Sequence, residues 1–216
     1  MSLRVGVVGG GQLARMMIPA ALRLGVGIRV LAETEGSSAA LATTAVGDYR
    51  DAATVLAFAR DVDVVTFDHE HVPQSVLAAL VAAGVAVRPG PHALRYAQDK
   101  LEMRARLAEL GAPQPDWAAV ATPDELGAFL SAHGGVAVVK TPRGGYDGKG
   151  VRVVRDAAEA ADWFEAAAGA PLLAEERVGF VRELAQQVAR LDQVCAHPGA
   201  VAADRQRRRL GEQLGR

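Results

Sequence analysis

Val136-Ala137-Val138-Val139-Lys140-Thr141-Pro142-Arg143-Gly144-Gly145-Tyr146-Asp147-Gly148-Lys149-Gly150-Val151 decides how this chain folds. A short apolar run delivers one lysine. A glycine-rich loop follows at once, and a second apolar run, Val151 to Val154, closes it. Two β-branched runs joined by such a loop read as a hairpin. Glycines let backbone N–H groups approach an anion with no Cβ in the way. Lys140 and Lys149 add cationic side chains. The combination suits a polyphosphate, and the expectation is a nucleotide-triphosphate site.

Upstream of the hairpin, strand and helix patterns alternate. Strands are expected at Arg4–Val8, Gly27–Leu31, Val62–Phe67 and Val85–Val87, and helices at Gln12–Leu24, Ala52–Ala59 and Pro73–Ala83. Gly25 and Gly84 stop two of these helices where a left-handed cap is wanted. Strands separated by helices imply a parallel, doubly wound sheet. A single helix is expected from about Pro91 to Leu110, ended by Gly111 and Pro113. Beyond an extended linker at 112–116 come a strand near Trp117–Val120 and a helix near Pro123–Ala132. After the hairpin, a helix near Ala157–Ala167 and strands at Pro171–Ala174 and Val181–Ala189 are expected. From Gly199 the apolar pattern stops, and a basic run, Asp204-Arg205-Gln206-Arg207-Arg208-Arg209, appears.

Composition limits the function classes. The 216 residues suffice for one or two domains, and half of them are hydrophobic, so a packed core is feasible. A net charge of −1 points to neither nucleic acid nor an anionic membrane as partner. Cys195 is the one cysteine, so no intrachain disulfide forms, which fits a reducing cytoplasm. Met1-Ser2-Leu3-Arg4 runs straight into a strand, without the pattern of a secretory signal. No apolar run reaches the roughly 18–20 residues that span a bilayer.

Four further motifs carry chemistry. Val8-Gly9-Gly10-Gly11-Gln12-Leu13-Ala14 matches G-x-G-x-x-A, with Glu33 placed after the second strand where a ribose-binding acid belongs. It reads either as NAD binding or as a tight strand-to-helix turn whose helix N-terminus serves another anion. Thr66-Phe67-Asp68-His69-Glu70-His71-Val72-Pro73 follows the third strand, at the end where ligands bind in such sheets. Alternation puts Asp68 and Glu70 on one side and His69 and His71 on the other. A metal site, a substrate-facing polar rim and a solvated loop are the open readings. Lys100 and Arg104 share a helix face beside Gln98-Asp99, and could hold phosphate or pair with Asp99 and Glu102. Glu175-Glu176-Arg177-Val178 and Glu183 place three carboxylates where a ribose diol and a base could be met, although charged strand edges also serve to block aggregation.

In this order the motifs resemble those of the ATP-grasp ligases, and more closely those of the 5-(carboxyamino)imidazole ribonucleotide synthase family of purine biosynthesis. The similarity runs from residue 1 to about residue 190, and its most specific part is Gly144-Gly145-Tyr146-Asp147-Gly148-Lys149-Gly150. The resemblance accounts for the glycine fingerprint without NAD. It implies an α/β chain with an N-terminal doubly wound parallel-sheet (pre-ATP-grasp) domain over 1–90. An ATP-grasp helix and lid subdomain would cover 91–174, and the start of the larger ATP-grasp subdomain 175–216. It implies that Lys100 and Lys140 contact ATP phosphates and that Gly145, Tyr146, Asp147, Gly148, Lys149, Gly150 and Val151 form the loop covering them. Glu175, Glu176, Arg177 and Val178 would line the adenine pocket, Glu183 would take the ribose, and Gln12, Leu13 and Glu70 would face the substrate.

The implied reaction joins bicarbonate to 5-aminoimidazole ribonucleotide through carboxyphosphate, with Mg²⁺ as cofactor, in a cytoplasmic homodimer. Asp68 and His71 stand where Glu and Asn are commonest in that family. The larger subdomain, with the acidic Mg²⁺ ligands, would continue past residue 190, and nothing after Gly199 resembles it. The expectation is a frame-shifted or truncated gene product, with a solvated, frayed basic tail as the other reading of residues 204–209. An inactive fragment and, in another class, an NAD-dependent oxidoreductase are the alternatives. The last would continue a dinucleotide-binding sheet after Gly90.

Overall fold

A computed structural model describes residues 2–145, 148–187 and 199–202. The chain divides into two compact units, Met1–Arg106 and Leu107–Arg216.

The first unit is built on β1 (Arg4–Val8), whose Val7 and Val8 point to opposite faces and are both fully buried. A strand buried on both faces needs covering on both, which the connecting helices supply. β2 (Gly27–Ala32) pairs parallel with β1 on one side, and β4 (Val64–Phe67) on the other. The sheet order is β3-β2-β1-β4 and every pairing is parallel. α1 (Gln12–Leu24) packs its small residues Ala14 and Ala21 inward, so the helix lies close to the sheet. α2 (Ala52–Ala59) and α3 (Gln74–Ala82) close the opposite face around Leu31, Phe58, Val65, Leu77 and Leu80. Gly25 and Gly84 take φ of 65° and 76°, the left-handed stops that their positions predict.

Three local expectations change. β3 (Thr43–Val46) is an added edge strand. Its four residues alternate between half-buried and exposed, too short and too polar a pattern to stand out. The expected strand at Val85–Val87 shrinks to one parallel bridge, Val65 to Val87. Pro89 follows two residues later and offers no N–H to extend a ladder. The long helix is two, α4 (Pro91–Gln98) and α5 (Lys100–Glu109). Asp99 breaks it with extended backbone angles, φ −135° and ψ 113°. Its Oδ1 accepts from Leu101 N–H (2.9 Å) and Glu102 N–H (3.2 Å), capping α5. An aspartate prefers this to a helix interior.

The second unit holds a four-stranded antiparallel sheet, order β5-β8-β6-β7. The strands are β5 (Trp117–Val120), β6 (Ala137–Lys140), β7 (Val151–Val154) and β8 (Leu172–Glu176). α6 (Pro123–Ala132) and α7 (Ala161–Ala167), the latter entered by a 3₁₀ turn at Ala157–Ala160, pack on one face over Val120, Ala137, Val139, Leu172 and Ala174. Arg152 of β7 ties its strand to α7. Its guanidinium donates to both carboxylate oxygens of Asp162 (2.6 and 3.0 Å) and lies 4.4 Å from the centre of the Trp163 ring. Hydrogen bonding to Arg152 holds the Asp162 carboxyl below its ordinary value.

A separate pair, β9 (Leu184–Gln187) and β10 (Gly199–Ala202), is antiparallel. The sequence pattern gave no strand at 199–202. The expected strand end at 188–189 and the basic tail lie outside the described residues. Among the described residues no helix is long and apolar enough to cross a membrane.

α6 begins with a reciprocal cap. Glu125 N–H donates to Thr122 Oγ1 (3.2 Å), and Glu125 Oε2 accepts from Thr122 N–H (3.3 Å) and Ala121 N–H (2.6 Å). Thr122→Ala should lower the stability of this unit by about 1 kcal/mol. Urea unfolding is the check, and an unshifted midpoint would mean that the cap contributes nothing.

Candidate functional site

Strand alternation sorts the second sheet. Ala137 and Val139 of β6, with Leu172 and Ala174 of β8, join the helix-covered core. Val138, Lys140, Leu173 and Glu175 therefore occupy the other face. In the antiparallel register Val138 faces Glu175 and Lys140 faces Leu173, so Lys140 and Glu175 are diagonal neighbours. Lys140 Nζ donates to Glu175 Oε2. Glu175 is only 3% exposed, whereas the Lys140 side chain is 23% exposed. A buried carboxylate and a partly open ammonium thus sit at the root of the glycine loop.

The loop leaves β6 at Thr141 and re-enters the sheet at Val151. Thr141 N–H donates to the Gly150 carbonyl (3.0 Å), which ties its two ends together. Gly144, Gly145, Gly148 and Gly150 all have positive φ. At Gly145 a Cβ would lie 2.5 Å from the Lys149 carbonyl oxygen, so two strands of the loop backbone touch where a side chain would part them. Lys149 is exposed. Tyr146 and Asp147 lie outside the described residues. Beyond β8, Glu176 N–H donates to the Asp116 carbonyl (2.9 Å), and Arg177 and Val178 are exposed. Glu183 is half-buried just before β9.

In the first unit the glycine turn is already occupied. Gly11 N–H donates to Asp68 Oδ2 (2.6 Å), and Ala14 N–H reaches the same oxygen (3.4 Å). Gly10 N–H donates to Glu33 Oε2 (3.3 Å). Two of the chain's own carboxylates thus stand at the positive end of α1, where a dinucleotide pyrophosphate would have to lie. Like charge excludes it, and the antiparallel second sheet does not continue a dinucleotide fold. The NAD reading of this motif is set aside on both grounds.

Glu33 also meets His69, whose Nε2 is 3.2 Å from Glu33 Oε1. His71 N–H donates to His69 Nδ1 (3.2 Å), so the ring carries its hydrogen on Nε2. Burial pushes the Glu33 carboxyl up, but hydrogen bonds from its own N–H, Gly10 N–H and His69 outweigh it, and the net shift is downward.

The four polar side chains at 68–71 part company. Asp68 turns inward to cap α1, and His69 leans on Glu33 and on the Tyr49 ring (4.7 Å between centroids). Glu70 is half-buried and His71 exposed. Among the described residues no three His, Cys, Asp or Glu side chains are grouped to hold a metal. Gln12 and Leu13 open α1 and are exposed.

The reading of residues 66–73 did not foresee the role of Gln98. Its amide donates to the Glu70 (2.8 Å) and Val72 (2.7 Å) carbonyls and accepts from Gln74 Nε2 (2.8 Å). The end of α4 therefore fixes the backbone that carries Glu70. Asp99 separates Gln98 from Lys100, so the two belong to different helices, and Lys100 opens α5 in the first unit.

Comparison with known proteins agrees with this architecture. Residues 2–98 match the ribonucleotide synthetase preATP-grasp domain family, and residues 105–206 match the ATP-grasp domain family. The fold is thus that of an ATP-grasp protein behind a pre-ATP-grasp domain. The N5-carboxyaminoimidazole ribonucleotide synthase of Mycobacterium tuberculosis is 48% identical over 190 residues, covering 86% of this chain and 44% of that protein. Its counterpart from Synechococcus elongatus is 40% identical over 200 residues, covering 92% and 49%. The Aspergillus clavatus carboxyaminoimidazole ribonucleotide synthase complexed with ATP superposes with a TM-score of 0.79 at 30% identity, over 90% of this chain and 52% of that one. The chain belongs to the N5-carboxyaminoimidazole ribonucleotide synthase family, the same family that the sequence resembles. It spans about half the length of the curated relatives it matches.

A carboxyl whose pKa is lower folded than unfolded adds stability above its unfolded value and loses it as pH falls through the folded one. Glu33, lowered from 4.5, belongs to that class. Acidification from neutral pH should lower the thermal midpoint, and Glu33→Gln should make the loss below about pH 4.5 shallower. An unchanged slope would remove the Glu33 network from the acid response.

Proposed function

We propose that the chain handles ATP for the carboxylation of 5-aminoimidazole ribonucleotide by bicarbonate. The observation that carries this reading is the Lys140–Glu175 pair on the face of the second sheet opposite the helices, at the foot of a loop with four positive-φ glycines. A structure of an Aspergillus clavatus relative holds ADP and 5-aminoimidazole ribonucleotide, at 27% identity and a TM-score of 0.73. That supports the same pair of ligands here.

In the proposed reaction a bicarbonate oxygen attacks the γ-phosphorus of ATP. The bond to the bridging oxygen breaks, giving ADP and carboxyphosphate. The substrate amine then attacks the carboxyl carbon, phosphate leaves with the C–O bonding electrons, and the nitrogen loses a proton. Phosphoryl transfer of this kind needs positioned positive charge and exclusion of water more than covalent help. Lys140 supplies charge on the sheet. Gly145 to Val151, with Lys149, supply donors and cover. Lys100 contacts phosphate, and Glu175, Glu176, Arg177, Val178 and Glu183 take the nucleoside. Gln12, Leu13 and Glu70 face the substrate. The family implies Mg²⁺, but the described residues present no ligand set for it, and no step is assigned to it. The same reading makes the working protein a cytoplasmic homodimer.

Calorimetric titration with ATP tests the proposal. The chain should bind ATP, and Lys140→Met, which keeps the apolar stem, should weaken binding tenfold or more. ADP release that depends on both bicarbonate and 5-aminoimidazole ribonucleotide would establish the ligase. Failure of the chain to bind ATP would overturn the reading.

A further inference from the structure

We infer that Gln98 is a positioning residue for the substrate. Its side-chain amide fixes the backbone of residues 70–72, and so holds the Glu70 carboxylate where it accepts from the amine or a hydroxyl of 5-aminoimidazole ribonucleotide. The inference deepens the substrate reading above and rests on it.

Glu70 lies just beyond the end of β4, at the carboxyl edge of a parallel sheet, where ligands bind in such folds. The chain between β4 and α3 is neither strand nor helix, so its carbonyls have no ladder to enter. α3 begins its own ladder one residue too late to help. The Pro73 carbonyl accepts from Val76 N–H (3.0 Å) and Leu77 N–H (3.1 Å). Gln98 serves the carbonyls before it from a distant helix end. Its Nε2 donates to the Glu70 carbonyl (2.8 Å) and the Val72 carbonyl (2.7 Å), which uses both amide hydrogens. Its Oε1 accepts from Gln74 Nε2 (2.8 Å), which also donates to the Pro91 carbonyl (3.3 Å). The amide is therefore oriented in turn from the start of α3 and the start of α4.

The side chains flanking Glu70 are committed to the fold. Asp68 caps α1, and Val72 is fully buried in the core. Glu70 differs from both. It is half-buried, and among the described residues its carboxylate makes no hydrogen bond or ion pair. An ionised carboxylate accepts and never donates, so its complement is a ligand that carries N–H or O–H groups. The amine and the ribose hydroxyls of 5-aminoimidazole ribonucleotide are such groups. Gln98 has spent its own donors on the backbone, and it acts on the ligand through Glu70. A group held in one place before the ligand arrives loses less freedom on binding.

A double-mutant cycle tests this, read by calorimetric titration of the full chain with 5-aminoimidazole ribonucleotide. Gln98→Leu should weaken binding about tenfold, and Glu70→Ala at least as much. In Glu70→Ala/Gln98→Leu the second change should add nothing, because Gln98 then has no carboxylate to position. A glutamine with a merely structural role would cost the same factor in either background. Additive losses would therefore overturn the positioning role and leave the substrate and ATP readings intact. Gln98→Asn, one carbon shorter and still polar, closes the same cycle should Gln98→Leu fail to fold. Wild-type affinity in Glu70→Ala would overturn both the positioning role and the Glu70 contact. Wild-type chain that binds ATP and not 5-aminoimidazole ribonucleotide would sink the substrate reading, and this inference with it.

Discussion

β6 cannot deliver Val139 to the helices without delivering Lys140 to the opposite face. The side chains of a strand alternate, so the hydrophobic demand of α6 and α7 and the placement of the lysine are one constraint. β8 obeys the same rule: Leu172 and Ala174 fill the core, and Glu175 is thereby aimed where Lys140 is aimed. A slip of one residue in β6 would carry its core residues to the opposite face and the ammonium into the helix-covered core. The chemistry of the second unit therefore depends on its packing, and the glycine loop inherits its position from the same two strands.

The first unit shows the opposite arrangement of charge. There the backbone N–H groups at the head of α1 face inward to Asp68 and Glu33, two carboxylates that return from the ends of neighbouring strands. The turn is held by internal ion–dipole contacts. Gln98 plays a comparable part for the 70–72 backbone, with an amide that satisfies two carbonyls at once. Polar side chains in this unit mostly fix loops. In the second unit one polar pair is left partly open.

Much of this was legible in the sequence. β1, α1, α2, β5 and α6 fall where periodicity and caps put them, because each is a long or cleanly bounded apolar pattern. The hairpin was read correctly for the same reason. Failures cluster where one polar residue outweighs a pattern. Asp99 sits in a good helical stretch, and its competing hydrogen bonds to Leu101 and Glu102 split it. Thr43–Val46 forms a strand only because β2 offers an open edge, which no local signal reports. The site was half legible. Lys140 and the glycines announce themselves by spacing, but the Asp68 cap joins residues 57 positions apart, and only the fold brings them together. The Lys140–Glu175 pair was likewise invisible, since the sequence gives both residues but not the strand register between them.

The closed glycine turn has an evolutionary consequence. A Cβ at Gly9 or at Gly11 would lie 2.8 or 2.7 Å from an oxygen of Asp68, and one at Gly10 would lie 2.6 Å from the Ala32 Cβ. These glycines are thus demanded by the absence of room. Gly9 is held by its φ of 107° as well, whereas Gly11 and Asp68 form a single steric unit: a lineage that lost the carboxylate would also lose the reason to keep that glycine. Across homologues they should drift jointly, so that a dinucleotide-like signature persists by covariation with an internal acid, with no dinucleotide behind it.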